Sequence, residues 1–228
     1  MIIFYQPELS EGAFYLAEEE SRHCARVLRK QTGDQVTVVD GKGIFYTVKL
    51  TTVKERQTSF EIIDQTQEST RKRRVHIAVA PTKNQDRMEW MVEKLVEIGI
   101  DEISLIHCHH SERKHIRIDR LEKKAVSAMK QSLKASLPQI NPLQKFEYFL
   151  DQARKTQQKF IAHLQQDAQH LKETSQLNDN CLLIGPEGDF SKEEIEKALM
   201  SGFTPVSLGE SRLRTETAAL AGCVILNL

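Results

Sequence analysis

CLLIGPEGDFSKEEIEKALMSGFTPVSLG, residues 181–209, decides the fold. CLLI is a short apolar run that stops at Gly185, as a buried strand does. Ser191 and Glu194 stand three apart ahead of an amphipathic run, which is the pattern of a capping box, and Gly202 closes that helix. PVSLG (205–209) is a second strand, followed by an apolar helix over 215–227. A strand, a loop, a helix and another strand in such short compass predict a parallel sheet covered by helices.

The alternation continues toward the N-terminus. VHIAVAP (75–81), ISLIHC (103–108) and FIAHL (160–164) read as strands. NQDRMEWMVEKLVEIG (84–99) reads as a helix, with Met88, Met91, Val92, Leu95 and Ile98 on one side and Gly99 at the C-cap. A further helix is predicted over 118–136. The first 65 or so residues differ. QVTVVD (35–40), IFYTVKL (44–50) and SFEII (59–63), punctuated by Gly33, Gly41 and Gly43, predict a small barrel or sandwich. One helix is predicted there, over 18–30, with Arg22, Arg26, Arg29 and Lys30 on a single face suited to phosphates. The polar stretch DQTQESTRKRR (64–74) reads as a linker, giving domains 1–70 and 71–228.

Formal net charge is zero over 228 residues, so the chain as a whole is no polycation. Charge is nevertheless uneven. Residues 71–74 are Arg-Lys-Arg-Arg, and residues 107–136 hold eight Lys/Arg against three acids. Such stripes suit a polyanion gripped at chosen places, or are solvated helix faces. No apolar run reaches the roughly 18 residues of a membrane span, and MIIFYQPELS lacks a basic n-region. Cys24, Cys108, Cys181 and Cys223 are scattered, which suggests reduced thiols and a cytoplasmic setting.

Ligands of open parallel sheets sit beyond the carboxyl ends of the strands. Three strand ends are informative there: FIAHL, which runs into the polar loop from Gln165, CLLI, which ends in Gly185–Phe190, and PVSL, which ends in Gly209–Arg214. GPEG lacks the lysine and hydroxyl of a P-loop, and an acid in that position suits a neutral or cationic ligand. It is either a tight strand-to-helix turn or one wall of a pocket shared with the loop over 209–214. His107, His109 and His110 are too close along a strand to converge on a metal, and no metal site is expected.

GPEGDFS (185–191) and LGESRLRTETAAL (208–220) also carry a resemblance. The chain resembles the SPOUT-class RNA methyltransferases and, within them, the RsmE family of 16S ribosomal RNA (uracil-N3) methyltransferases. His23-Cys24-Ala25-Arg26-Val27-Leu28-Arg29 matches an N-terminal element of that family, and Glu93-Lys94 through Glu97 and Gly99 match a helix. The likeness spans nearly the whole chain. It departs at Asp189, where the family has a second glycine. A position that needs φ > 0 accepts Asp at a cost.

The resemblance implies an α/β domain tied in a trefoil knot, preceded by a PUA-like β-barrel that binds RNA. It implies a homodimer acting on 16S rRNA of the small ribosomal subunit, away from membranes. It places S-adenosylmethionine against Leu164, Ile184, Gly185, Pro186, Glu187, Gly188, Leu208, Gly209, Leu213, Thr215, Thr217 and Ala218. Arg214 and Arg212 are then the candidate cations for charge developing on the uracil oxygens. Glu216 is a candidate base, or the group that orients Arg214. Arg22, His23, Arg26, Arg29, Lys30, Lys83, Arg113 and Lys134 are the candidate RNA contacts. Three rivals stay open: an inactive RNA-binding module, a methyltransferase for another RNA base or ribose, and a metal-dependent hydrolase using the histidines of 107–115.

Overall fold

The computed structural model describes residues 2–69, 71–163 and 168–228. The chain divides into two compact units, residues 1–70 with 126–137, and residues 71–125 with 138–228.

In the first unit β1 (Ile3–Tyr5), β2 (Tyr15–Leu16), β3 (Gln35–Val39), β4 (Ile44–Thr52) and β5 (Thr58–Gln67) form one sheet. Its order is β1-β3-β4-β5-β2. Only the β1–β3 pair is parallel. The two edges come together where Gln6, buried just after β1, donates from its side chain to the carbonyl of Tyr15 in β2 at 2.5 Å. That leaves a nearly closed, PUA-like sheet. Alternate residues Val36, Val38, Tyr46, Val48, Leu50 and Phe60 face inward onto Phe4, Leu16 and Cys24, as the period of two requires.

Residues 126–137 return to this unit. Gly43 N–H donates to Ala135 O (3.1 Å) and Leu137 N–H to Gly41 O (2.9 Å). Lys130 pairs with Glu20 at 2.5 Å.

The helix expected over 18–30 is shorter and not uniform. It is α-helical only over Glu18–Arg22 (α1), then widens into a π-turn over His23–Val27. Arg29 follows in the left-handed region, φ 51°. The wider turn changes the angle between successive side chains, so Arg22, Arg26, Arg29 and Lys30 do not share one α-helical face. Arg22 pairs with Glu18 at 2.7 Å and Arg26 with Glu55 at 2.5 Å.

The second unit holds β6 (Arg74–Val79), α2 (Gln85–Ile98), β7 (Glu102–His107), α3 (Ile118–Gln131), β8 (Gln139–Lys145), α4 (Phe146–Gln152), β9 (Gln158–Ala162), α5 (Leu171–Thr174), β10 (Asp179–Ile184), α6 (Lys192–Met200), β11 (Thr204–Val206) and α7 (Thr215–Asn227). Residues 118–125 of α3 belong here and the rest of that helix to the first unit. The helix ends earlier than expected, before Leu133 at φ 56°.

All neighbours in the six-stranded sheet are parallel, in the order β11-β9-β10-β6-β7-β8. Strand order therefore reverses beside β6: β7 and β8 build outward on one side, β10, β9 and β11 on the other. α7 packs on α2 against one face of the sheet. On the other face Phe146, Phe149, Phe190, Ala198 and Phe203 close a core with Ile161, Cys181 and Leu183.

The arginine run 71–74 is largely spent in stitching this unit together. Arg71 donates to Gly99 O and Asp101, and Arg74 pairs with Glu102 and Asp179. Arg73 reaches Ser175 at 3.3 Å.

Candidate functional site

The parallel sheet delivers the ends of β9, β10 and β11 side by side, and their loops enclose a cleft of about 840 Å³. Its walls are Ala162 and His163 at the end of β9, Ile184–Asp189 from the end of β10, Val206–Thr215 from the end of β11, and Ala168, His170 and Ala218. This is the position at which open α/β sheets bind ligands.

The β10 loop is built to stay rigid. Asp189 N–H donates to Pro186 O at 3.0 Å, closing a turn, and Asp189 takes φ 61°. Asp189 Oδ1 accepts from Phe190 N–H at 2.8 Å. The capping box at the start of α6 is formed, with Ser191 Oγ accepting from Glu194 N–H and Glu194 Oε2 from Ser191 N–H. Glu194 Oε1 also accepts from His109 N–H at 2.8 Å, and His110 Nδ1 is hydrogen-bonded to Asp189 O at 3.0 Å. The histidine loop thus braces the GPEGD turn from outside. A Cβ on Gly188 would lie 3.1 Å from His110 Cβ, a tight contact that the exposed histidine would have to yield to by a few tenths of an ångström.

The β11 loop is pinned in turn. Ser207 Oγ accepts from Gly209 N–H at 3.1 Å, and Gly209 adopts φ 122°, open to glycine alone without strain. Leu171 N–H donates to Ser207 O at 3.0 Å. Arg214 is the N-cap of α7, and among the described residues no side chain caps that end of the helix. Thr215 Oγ1, buried, donates to Gly185 O at 3.1 Å and joins the two loops.

Of the expected cofactor contacts, Ile184, Gly185, Pro186, Glu187, Gly188, Leu208, Gly209, Leu213, Thr215 and Ala218 all line this cleft. Leu164 lies outside the described residues. Thr217 is exposed and is not part of the wall. Arg212 and Arg214 are exposed on the wall. Glu216 is elsewhere: it is buried, and its carboxylate lies 3.7 Å from Arg87 Nε.

Sequence reasoning missed His163, His170 and Ser207. His163 Nε2 is buried without a hydrogen-bond partner among the described residues, and such an atom calls for a ligand or a water. Only its place at a strand end marks it in the sequence.

The expected RNA contacts fall into groups. Lys83 is exposed and 3.2 Å from Glu112. Arg113 is a staple: its guanidinium donates to Lys83 O (2.8 Å), His115 O (2.7 Å) and Gln85 Oε1 (2.7 Å), holding the loop before α2. His23 and Arg29 are exposed, while Lys30 and Lys134 are half-buried.

The cleft tests well for a nucleoside bearing a charged tail. It offers glycine backbone for close approach at Gly209, the imidazole of His163 in its wall, and charged side chains at the rim. A PUA-like sheet ahead of a parallel α/β unit with such a cleft defines an RNA methyltransferase architecture. The family models agree: an RNA methyltransferase domain matches residues 68–227 and an RNA methyltransferase PUA domain residues 16–63. The chain is similar to a probable rRNA-methyltransferase from Porphyromonas gingivalis, at 43% identity and TM-score 0.92, covering 98% of this chain and 95% of that one. It is similar to a ribosomal RNA small subunit methyltransferase E from Neisseria gonorrhoeae, crystallised bound to S-adenosyl methionine, at 27% identity and TM-score 0.87, covering 98% and 95%. The ribosomal RNA small subunit methyltransferase E of Mesomycoplasma hyopneumoniae is 28% identical, covering 96% of each chain. The chain belongs to the RsmE family of RNA methyltransferases.

Proposed function

We propose that this protein transfers a methyl group from S-adenosylmethionine to N3 of a uridine in 16S rRNA of the small ribosomal subunit. The observation that carries the reading is the joining of the GPEGD and LGESRLR loops, through Thr215 and Gly185, into one cleft with two arginines on its wall. S-adenosylmethionine, when bound, supplies the methyl group on a sulfonium. Gly209, where a Cβ would meet nothing within 4 Å, would admit it close to the backbone, and Leu208 and Leu213 would shield it from water.

N3 of uracil carries a proton between two carbonyls, and its loss spreads negative charge onto O2 and O4. Arg214 stabilises that charge as it develops, with Arg212 the second candidate. Arg214 is the N-cap of α7 and Arg212 lies two residues before it. Glu216 lies 3.7 Å from Arg87 in this arrangement, and the base is left to solvent or the substrate. The target base leaves its stack to reach the cleft.

We assign residues 1–70 to RNA binding and 71–228 to methyl transfer, with the trefoil knot of the superfamily in the latter. The placement of β9 outside β10, against chain order, supports the knot. Trp90 on α2 and Val224 on α7 are exposed apolar side chains of two helices that pack together, which supports a homodimer through these helices. No described helix is long and apolar enough to cross a membrane, in keeping with action on ribosomes in the cytoplasm. Labelled S-adenosylmethionine, offered small subunits, naked 16S rRNA and tRNA in parallel, tests the assignment. Label in 16S rRNA supports it, and label in tRNA alone refutes it.

A further inference from the structure

Asp189 stands where the resemblance calls for glycine. Its left-handed backbone, φ 61°, costs a non-glycine residue about 1 kcal/mol. Part of that is offset by its own side chain, whose Oδ1 accepts from Phe190 N–H at 2.8 Å. Asparagine meets the same demands, since it enters the left-handed region readily and its side-chain oxygen accepts the same bond. What aspartate adds is a negative charge, half-buried in the cleft wall. Glu187 and Glu210, the other acids of the wall, are exposed, so water and salt screen them more strongly.

The methyl donor and its product differ by one charge. S-adenosylmethionine is a sulfonium cation, and S-adenosylhomocysteine is a neutral thioether of nearly the same shape. We infer that Asp189 sets the preference of this protein for donor over product. Its carboxylate attracts the sulfonium across the cleft and has nothing to attract once the charge has left sulfur. Arg212 and Arg214 oppose it from the rim, where both are exposed. The residue is specificity-determining rather than catalytic, because the attraction is present before reaction and fades as the methyl departs. The inference rests on the S-adenosylmethionine reading given above.

Calorimetric titration of the wild type, Asp189→Asn and Asp189→Gly with each of the two ligands tests it, at low and at high salt. Asp189→Asn keeps the turn and removes the charge. It is expected to weaken S-adenosylmethionine by about three- to tenfold, the scale of one partly screened charge pair. S-adenosylhomocysteine affinity stays within about twofold, and the selective loss shrinks in high salt. Asp189→Gly, which relieves the backbone and also lacks the charge, shows the same selective loss and carries the test should the Asn variant lose stability. No change for either ligand, or an equal change for both, overturns the inference; the equal change would make Asp189 a positioning residue of the turn. A wild type that binds neither ligand overturns the cofactor reading, and the inference with it.

Discussion

Replacing Gly222 with alanine sets two effects of known sign against each other. Gly222 lies buried within α7. In an exposed helix the exchange would stabilise by about 1 kcal/mol. Here the added Cβ would fall 2.2 Å from Leu182 Cδ2 and 3.9 Å from Leu208 Cδ2. Carbon atoms rest at roughly 3.5–4.0 Å, so the first contact overlaps by more than 1 Å. Leu182 is fully buried in β10, so its methyl can retreat only against other core side chains. Overpacking of this kind costs about 1–3 kcal/mol, and severe overlap takes the upper end. The clash therefore outweighs the helix gain, and Gly222→Ala loses about 1–2 kcal/mol. For a unit of this size that lowers Tm by roughly 2–8 °C. Leu208 lines the cleft and Leu182 lies two residues before Ile184, so cofactor affinity falls as well. Thermal melts followed by circular dichroism, with calorimetric titration, measure both. An unchanged or raised Tm would refute the reasoning, since it would mean that α7 and β10 part at no cost.

Thr215→Val leaves the buried Gly185 carbonyl without its side-chain donor and uncouples the two loops. It should cost about 1–3 kcal/mol in stability and weaken S-adenosylmethionine several-fold by calorimetry; unchanged affinity would show that the loops are aligned by other means. Arg214→Ala should lower kcat about 10²–10³-fold, with donor Kd altered far less, in a single-turnover methylation assay; a fall confined to donor Kd would move Arg214 to binding. Burial pushes the His76 imidazole down to about 4, against an ordinary value near 6.5. The unfolded chain thus binds the proton first, so stability is full above about pH 6.5, falls as the pH drops from there to about 4, and then levels. The loss is about 3 kcal/mol, and in denaturant titrations across that range His76→Phe should flatten the slope; an unaltered slope would acquit His76.

The elements that locate the site were legible because each carries its own local signal. The capping box fixed the start of α6, Gly99 the end of α2, and glycine after two consecutive strands the cleft. The less legible parts lack local signals. β8 carries Pro142 in a polar stretch and pairs on one side only with β7, so neither propensity nor alternation marks it. The return of residues 126–137 to the first unit rests on backbone bonds to Gly41 and Gly43, which composition does not encode. The basic face over 22–30 failed because a π-turn inserts one extra residue per turn, and arginine spacing is blind to that. Arg113 is arginine-rich chemistry by sequence and a backbone staple in the structure, a distinction that only its carbonyl partners make. Asp189 was readable as a departure from the glycine pattern, and its φ of 61° supplies the physical reason why glycine is usual there.

The central claim is the acceptor atom, and identifying the methylated nucleoside tests it most directly. Purified protein and S-adenosylmethionine are incubated with small subunits lacking the modification, the 16S rRNA is digested, and the nucleosides are resolved by mass spectrometry against standards. The account predicts 3-methyluridine, formed about 10²–10³-fold more slowly by the Arg214→Ala variant. A ribose-methylated nucleoside, or a methyl on any other base atom, would contradict it.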